Sequence, residues 1–129
     1  MRNIVFTKAY QKDFRRVIQQ YSKNKREEIN KELNGILEKI GNDTLSVTEN
    51  TFYKVHALIG DKLGIWEFHF RNDICVEYTI TDTEIRVLRI GSHSAIELTS
   101  IIAKTLKRLT SLARSFAGTS FWARRLSFW

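Results

Sequence analysis

The chain has 129 residues, 43% of them hydrophobic, which suffices for one compact core and leaves too little for a second of ordinary size. Its single cysteine, Cys75, excludes an intrachain disulfide and the two-sulfur metal motifs. The net charge of +7 suits a polyanionic partner, and most of it is local: from Thr99 onward the chain carries Lys104, Lys107, Arg108, Arg114, Arg124 and Arg125 and no acid. The N-terminus, Met1-Arg2-Asn3-Ile4, lacks the apolar stretch of a secretory signal, and no segment has the apolar run that spans a bilayer. A cytoplasmic protein without a membrane partner is expected.

Residues 2–7 are β-branched and aromatic enough for a first strand. Tyr10, Phe14, Val17, Ile18 and Tyr21 then recur at helical spacing with polar residues between them, and Ile29, Leu33, Ile36, Leu37 and Ile40 repeat the pattern. The second helix is expected to begin at Asn24, with Glu27 three residues on, and to stop at Gly41. So short a link as Ser22-Lys23-Asn24 forces an antiparallel helical hairpin. A polar loop through Asn42, Asp43 and Asn50 follows.

Downstream the period changes to two. Trp66, Phe68 and Phe70 alternate with Glu67, His69 and Arg71; after a turn at Asn72-Asp73, Ile74, Val76, Tyr78 and Ile80 alternate with Cys75, Glu77 and Thr79. A turn at Asp82-Thr83 leads to a third strand, Glu84–Ile90, ending at Gly91. The expected fold is α+β: an N-terminal strand, a helical hairpin and a three-stranded antiparallel meander. Ser94-Ala95-Ile96-Glu97 reads as a capping box opening an extra C-terminal amphipathic helix with Leu98, Ile102, Leu109, Leu112, Ala113 and Phe116 on one side, followed by an aromatic and basic tail, Thr119–Trp129. The expected division is residues 1–98 as the main domain and 99–129 as a helical extension.

The three histidines, His56, His69 and His93, lie beside glycine turns or on the polar face of the meander. Strand alternation places His69 on an exposed face with Glu67 and Arg71; His93 follows the last strand, which holds Arg89, and Asp73 sits in the turn beside His69. Such a set suits RNA cleavage by the RNA's own 2′-hydroxyl: imidazoles fill both proton roles near neutral pH, and arginine grips phosphate. The histidines come from separated segments with no short His-His spacing, so neither a metal site nor a cofactor is expected. The basic helix face at Lys104, Lys107, Arg108 and Arg114 reads as a solvated face or as a contact with RNA or the ribosome. Phe121, Trp122, Phe128 and Trp129 suit stacking on bases, a membrane surface, or folding back on the domain.

These residues resemble the RelE/ParE superfamily of bacterial toxins, and within it the YafQ-type mRNA interferases. The run His56-Ala-Leu58-Ile-Gly60-Asp-Lys-Leu-Gly64, then His69, Asp73 and Tyr78, then Arg86, Arg89 and Gly91-Ser92-His93, matches that pattern without a gap, and Phe6-Thr7 with Tyr10-x-Lys12-Asp13 resembles its opening. The resemblance covers about residues 1–96. It implies a metal-independent endoribonuclease acting on mRNA on the ribosome and an antitoxin partner that wraps and inhibits it; oligomeric state stays open. Carried over by position, His93 is the principal general acid or base, His56, His69 and Asp73 complete the proton-transfer and RNA-orienting set, and Arg89 holds the scissile phosphate. Arg86, Arg71, Lys104, Lys107 and Arg108 are the expected RNA-binding residues.

Three departures stand out: Glu97 replaces the phenylalanine that closes the family pattern, the long C-terminal helix and aromatic tail lie outside that pattern, and Ile74 follows Asp73 where an aromatic can occur. Two other readings compete. One is a non-enzymatic toxin of the same fold that binds DNA gyrase, as the ParE branch does without this His/Asp/Arg set; the other is a catalytically degenerate relative that binds RNA or a partner.

Overall fold

A computed structural model describes residues 2–71, 73–97, 102, 105, 106, 108 and 109. The chain divides into two compact units, residues 1–93 and 94–129. The first is α+β, with strands β1 (Asn3–Phe6), β2 (His56–Ala57), β3 (Trp66–Phe70), β4 (Ile74–Ile80) and β5 (Glu84–Ser92), and helices α1 (Lys8–Ile18), α2 (Lys23–Gly41) and α3 (Val47–Phe52). The strands form one five-stranded sheet in the order β1-β5-β4-β3-β2. The expected meander is its antiparallel centre, β3-β4-β5. β1 joins parallel to β5, and β2 adds a two-residue edge beside β3.

The helical stripes bury as their spacing predicts. Ile29, Leu33, Ile36, Leu37 and Ile40 of α2 share a core cluster with Phe68, Phe70, Val76, Tyr78, Ile85 and Val87 of the sheet. Burying each such side chain fully is worth roughly 1.5–3 kcal/mol, so this cluster is what the helices and sheet exchange for their ordering. Phe6 at the end of β1 stacks on Tyr10 of α1, and Tyr10 on Phe14, with ring centroids 5.2 and 6.0 Å apart.

Several boundaries differ from the sequence reading. α1 ends at Ile18, short of Tyr21. α2 begins at Lys23 with Ser22, not Asn24, at its N-cap, and among the described residues no side chain caps it; Arg26 instead donates from its backbone to Ser22 O and from Nε to Tyr21 O. Gly41 is the last residue of α2 rather than its stop. The reversal falls at Asp43, at φ 56°, where Asp43 N donates to Ile40 O and Thr44 N to Lys39 O, the paired bonds of a Schellman turn. Gly41 serves packing: a Cβ there would lie 3.4 Å from Ile85 Cδ1.

The polar loop after α2 holds a helix of its own. Ser46 accepts from Glu49 N while the Glu49 side chain accepts from Ser46 N, a complete capping box around α3. Lys54, at φ 50°, ends α3 with a second Schellman pair, Lys54 N to Thr51 O and Val55 N to Asn50 O. That reversal delivers the chain to β2 and therefore to His56.

In the second unit residues 94–97 are helical, as are 102, 105, 106, 108 and 109. The helical run already includes His93, so Ser94 lies within it instead of capping it. Ile102 and Leu109 are exposed, as is Arg108. Lys104, Lys107, Arg114, the rest of the apolar stripe and the tail 119–129 lie outside the described residues. Among the described residues no helix is long and apolar enough to cross a membrane.

Candidate active site

The face of the sheet opposite the main core is polar. Register places His56 of β2 beside Glu67 of β3, Glu67 beside Glu77 of β4, and Glu77 beside Arg89 of β5, so one row of ionisable side chains crosses four strands. The next row is His69, Cys75 and Gly91, and His93 follows two residues on. A bulge opposite Glu77 and Tyr78 leaves Leu88 as the extra residue of β5, which lets Val87 and Ile90 both reach the core while Arg89 stays on the polar face.

All three histidines converge on Glu67 Oε1: His69 Nε2 lies 3.3 Å away, His56 Nε2 3.6 Å and His93 Nδ1 3.9 Å. The Glu67 side chain is 2% exposed, against 45% for His56, 33% for His69 and 52% for His93. Imidazoles therefore form the accessible rim around a buried carboxylate. Sequence alternation puts Glu67 on the correct face but gives it to solvent; the three rings cover it. Among the described residues Glu67 Oε1 accepts no hydrogen bond, a costly state for a buried carboxyl oxygen, and the imidazoles are the groups placed to answer it.

Two of the rings are held from behind. The Lys54 turn aims its carbonyl at His56, whose Nδ1 lies 2.6 Å from Lys54 O; a carbonyl can only accept, so Nδ1 carries the proton and Nε2 faces the cluster. His69 donates its backbone N–H to Tyr53 O, just beyond the end of β2, and presents Nδ1 to Cys75 Sγ at 3.7 Å. The His56 and His69 rings stack, with centroids 5.8 Å apart. Cys75 is buried; burial pushes its thiol up to about 12, and the carboxylates of Glu67, Asp73 and Glu77 add to the effect.

The second carboxylate of the face, Glu77, is buried and paired with Lys62, whose Nζ donates to Glu77 Oε2 at 2.7 Å. Lys62 comes from a single 3-10 turn, Gly60–Lys62, between β2 and β3. Gly60 and Gly64 flank it at φ 69° and 92°, conformations that need glycine, which gives the paired glycines of the sequence motif a backbone reason.

Arg89 grips Asp13 of α1 with two bonds, Nε to Oδ2 at 2.6 Å and Nη2 to Oδ1 at 3.2 Å. Ile90 N also donates to Asp13 Oδ2, and Thr7 Oγ1 donates to Leu88 O. β1 pairs with β5 only as far as Val87; beyond it these two side chains take over the backbone groups of β5. The Asp13 pair raises the Arg89 guanidinium, and two of its five donors are spent there.

Other expected site residues are dispersed. Asp73 stands exposed in the β3–β4 turn, and among the described residues no ion pair links it to the histidines. Arg71 is not on the histidine face: at φ 43° it turns to α2, where Nη2 donates to Glu32 Oε2 at 2.8 Å and Glu28 Oε1 at 3.3 Å. Arg86, half exposed, pairs with Glu84.

The profile of the family described as the bacterial toxin of type II toxin-antitoxin systems, YafQ, matches residues 2–98. The chain belongs to the YafQ toxin family. It is thus a YafQ-type toxin of the RelE superfamily. Solved structures agree on the fold. A copper-bound point mutant of a toxin from Helicobacter pylori is similar with a TM-score of 0.61 at 26% identity, over 74% of this chain and 98% of that one. A point mutant of Escherichia coli YafQ gives 0.59 at 27%, over 74% and 98%, and YafQ in the E. coli DinJ-YafQ toxin-antitoxin complex gives 0.58 at 26%, over 73% and 94%. No curated protein sequence matches the chain.

Proposed function

We propose that this YafQ-family toxin is an endoribonuclease that cuts mRNA on the ribosome by metal-free acid/base chemistry. The observation that carries the reading is the meeting of three imidazoles on one buried carboxylate oxygen. Cleavage by the 2′-hydroxyl needs one group to take its proton as it attacks phosphorus and another to protonate the departing 5′-oxygen, leaving a 2′,3′-cyclic phosphate and a 5′-hydroxyl. His93, the most exposed ring, is the principal acid or base, and His56 and His69 supply the complementary proton role. Glu67 lies beneath them as the counter-charge for whichever imidazolium forms, and the donors Arg89 does not spend on Asp13 face the phosphate. Asp73, at the edge of the face, orients RNA without joining the proton transfer. Arg86 and Arg108, with Lys104 and Lys107, offer cationic contacts to the RNA backbone; Arg71, engaged with α2, contributes least.

The toxin domain is taken as residues 1–98 with 99–129 as an extension, the compartment as the cytoplasm, and the partner as a cognate antitoxin, as DinJ is for YafQ in the E. coli complex. The test is incubation of purified protein with programmed ribosomes and mapping of new RNA ends. Cyclic-phosphate ends are expected, lost in His93→Ala. Because the Helicobacter pylori relative was captured with copper, a chelator arm with magnesium restored for the ribosome is essential: cuts that vanish there overturn the metal-free mechanism, and growth arrest undiminished by His93→Ala overturns cleavage itself.

A further inference from the structure

We propose that Glu67, Cys75 and His93 form a binding site for a thiophilic divalent transition metal of the zinc or cobalt type, and that its occupation takes His93 out of proton transfer. The site uses a residue, Cys75, that the cleavage reaction leaves idle. Glu67 comes from β3, Cys75 from β4 and His93 from the position just after β5. In the row His69, Cys75, Gly91, β5 contributes no side chain beside Cys75, so the sulfur has the carboxylate and both nearby imidazoles as neighbours.

A carboxylate oxygen of Glu67, Cys75 Sγ and an imidazole nitrogen of His93 all lie within 4.8 Å of one another. With metal–donor bonds of about 2.0–2.3 Å, donors around a tetrahedral ion sit roughly 3.3–3.8 Å apart. His93 Nδ1 and Glu67 Oε1, at 3.9 Å, are already near that edge, and the contraction still needed is of the size that side-chain torsions supply. A second observation at the same donor set is Glu67 Oε1, buried and, among the described residues, without a hydrogen-bond partner. Thiolate, imidazole and carboxylate together select zinc-like ions over magnesium or calcium, which take oxygen ligands. Binding would release the thiol proton to solvent and leave a fourth position for water or for His69, whose Nδ1 is 3.7 Å from the sulfur.

A neighbouring donor set, His56, Glu67 and His69, shares Glu67 but not the sulfur, so the two are separable. Binding does not depend on the cleavage reading; only its inhibitory consequence rests on that reading. The experiment titrates cobalt(II) into the chelator-stripped full chain without ribosomes. One equivalent is expected to give visible d–d bands and a near-ultraviolet sulfur-to-cobalt charge-transfer band, both displaced by zinc. Cys75→Ser should abolish the charge-transfer band and weaken binding at least about tenfold. Glu67→Gln should weaken it similarly, and His56→Ala should leave the band in place. Zinc should raise the thermal midpoint of the unaltered chain and not that of Cys75→Ala, which keeps the measurement available if serine at this buried position unfolds the protein. Absence of the charge-transfer band, its persistence without Cys75, its loss in His56→Ala, or unchanged affinity in Glu67→Gln overturns the proposal. None of these outcomes bears on whether RNA is cut.

Discussion

Glu67 and Asp13 are both acids that a pattern reading assigns to water, and both are buried. The alternation of β3 fixes which face Glu67 shares with His69, but its burial arises from rings delivered by β2 and by the end of β5, long-range contacts that no local pattern contains. Asp13 lies on the polar side of α1 by periodicity; it is buried because β1 stops pairing at Val87 while β5 runs on. His93→Ala is expected to slow cleavage by about 10²–10⁴-fold, the worth of a positioned acid or base, with the circular dichroism spectrum unchanged; a loss below tenfold in single-turnover assays would remove it from the proton path. Asp13→Asn keeps an acceptor for Ile90 N but leaves Arg89 without its counter-charge. Breaking a buried pair costs about 3–5 kcal/mol; with Arg89 still 27% exposed, the expected loss is nearer about 2 kcal/mol, after solvent screening. Urea denaturation checks this, and an unchanged midpoint would mean the pair stabilises nothing.

At the level of elements, what was legible was whatever carried a period. α1, α2 and the three central strands follow from spacing alone, and the polar face of the meander shows where His69 of β3 and His93, just after β5, belong. α3 has no periodic signature although Ser46-x-x-Glu49 spells its capping box, because six residues are too few to show a helical stripe. β2 has no periodic signature either, because two residues cannot alternate. His56 therefore joined the candidate site by its motif, and only the fold shows how: α3 and its Lys54 reversal set the carbonyl that holds the ring. Gly35, midway along α2 and partly buried, has no such duty. Among the described residues a Cβ there meets nothing within 4 Å, so Gly35→Ala is expected to stabilise the protein by about 0.5–1 kcal/mol through helix propensity, read as a higher urea midpoint with cleavage unaltered. Gly64→Ala, equally free of clashes but at φ 92°, should do the opposite, and equal effects at the two sites would contradict the backbone argument.

For the molecule as a whole, the buried ionisable groups set a limit on the alkaline side. Burial pushes the Cys75 thiol and the Tyr78 phenol each up to about 12, and Tyr10 is raised by the same cause. All three are neutral when protonated, so the folded chain keeps protons that the unfolded chain gives up. In the unfolded chain release begins near the ordinary thiol value of 9.0 and the phenol value of 10.0. Across that interval the unfolded state binds fewer protons than the native one, and stability must fall as pH rises. The contribution of these groups is complete below about pH 9 and is lost progressively toward about pH 12. Urea midpoints followed through this window should decline with a slope that Cys75→Ala reduces, delaying the onset toward the tyrosine range. A profile that stays flat to the top of the window would show that the three groups meet water in the native state, and with it that the polar face is not closed over Cys75.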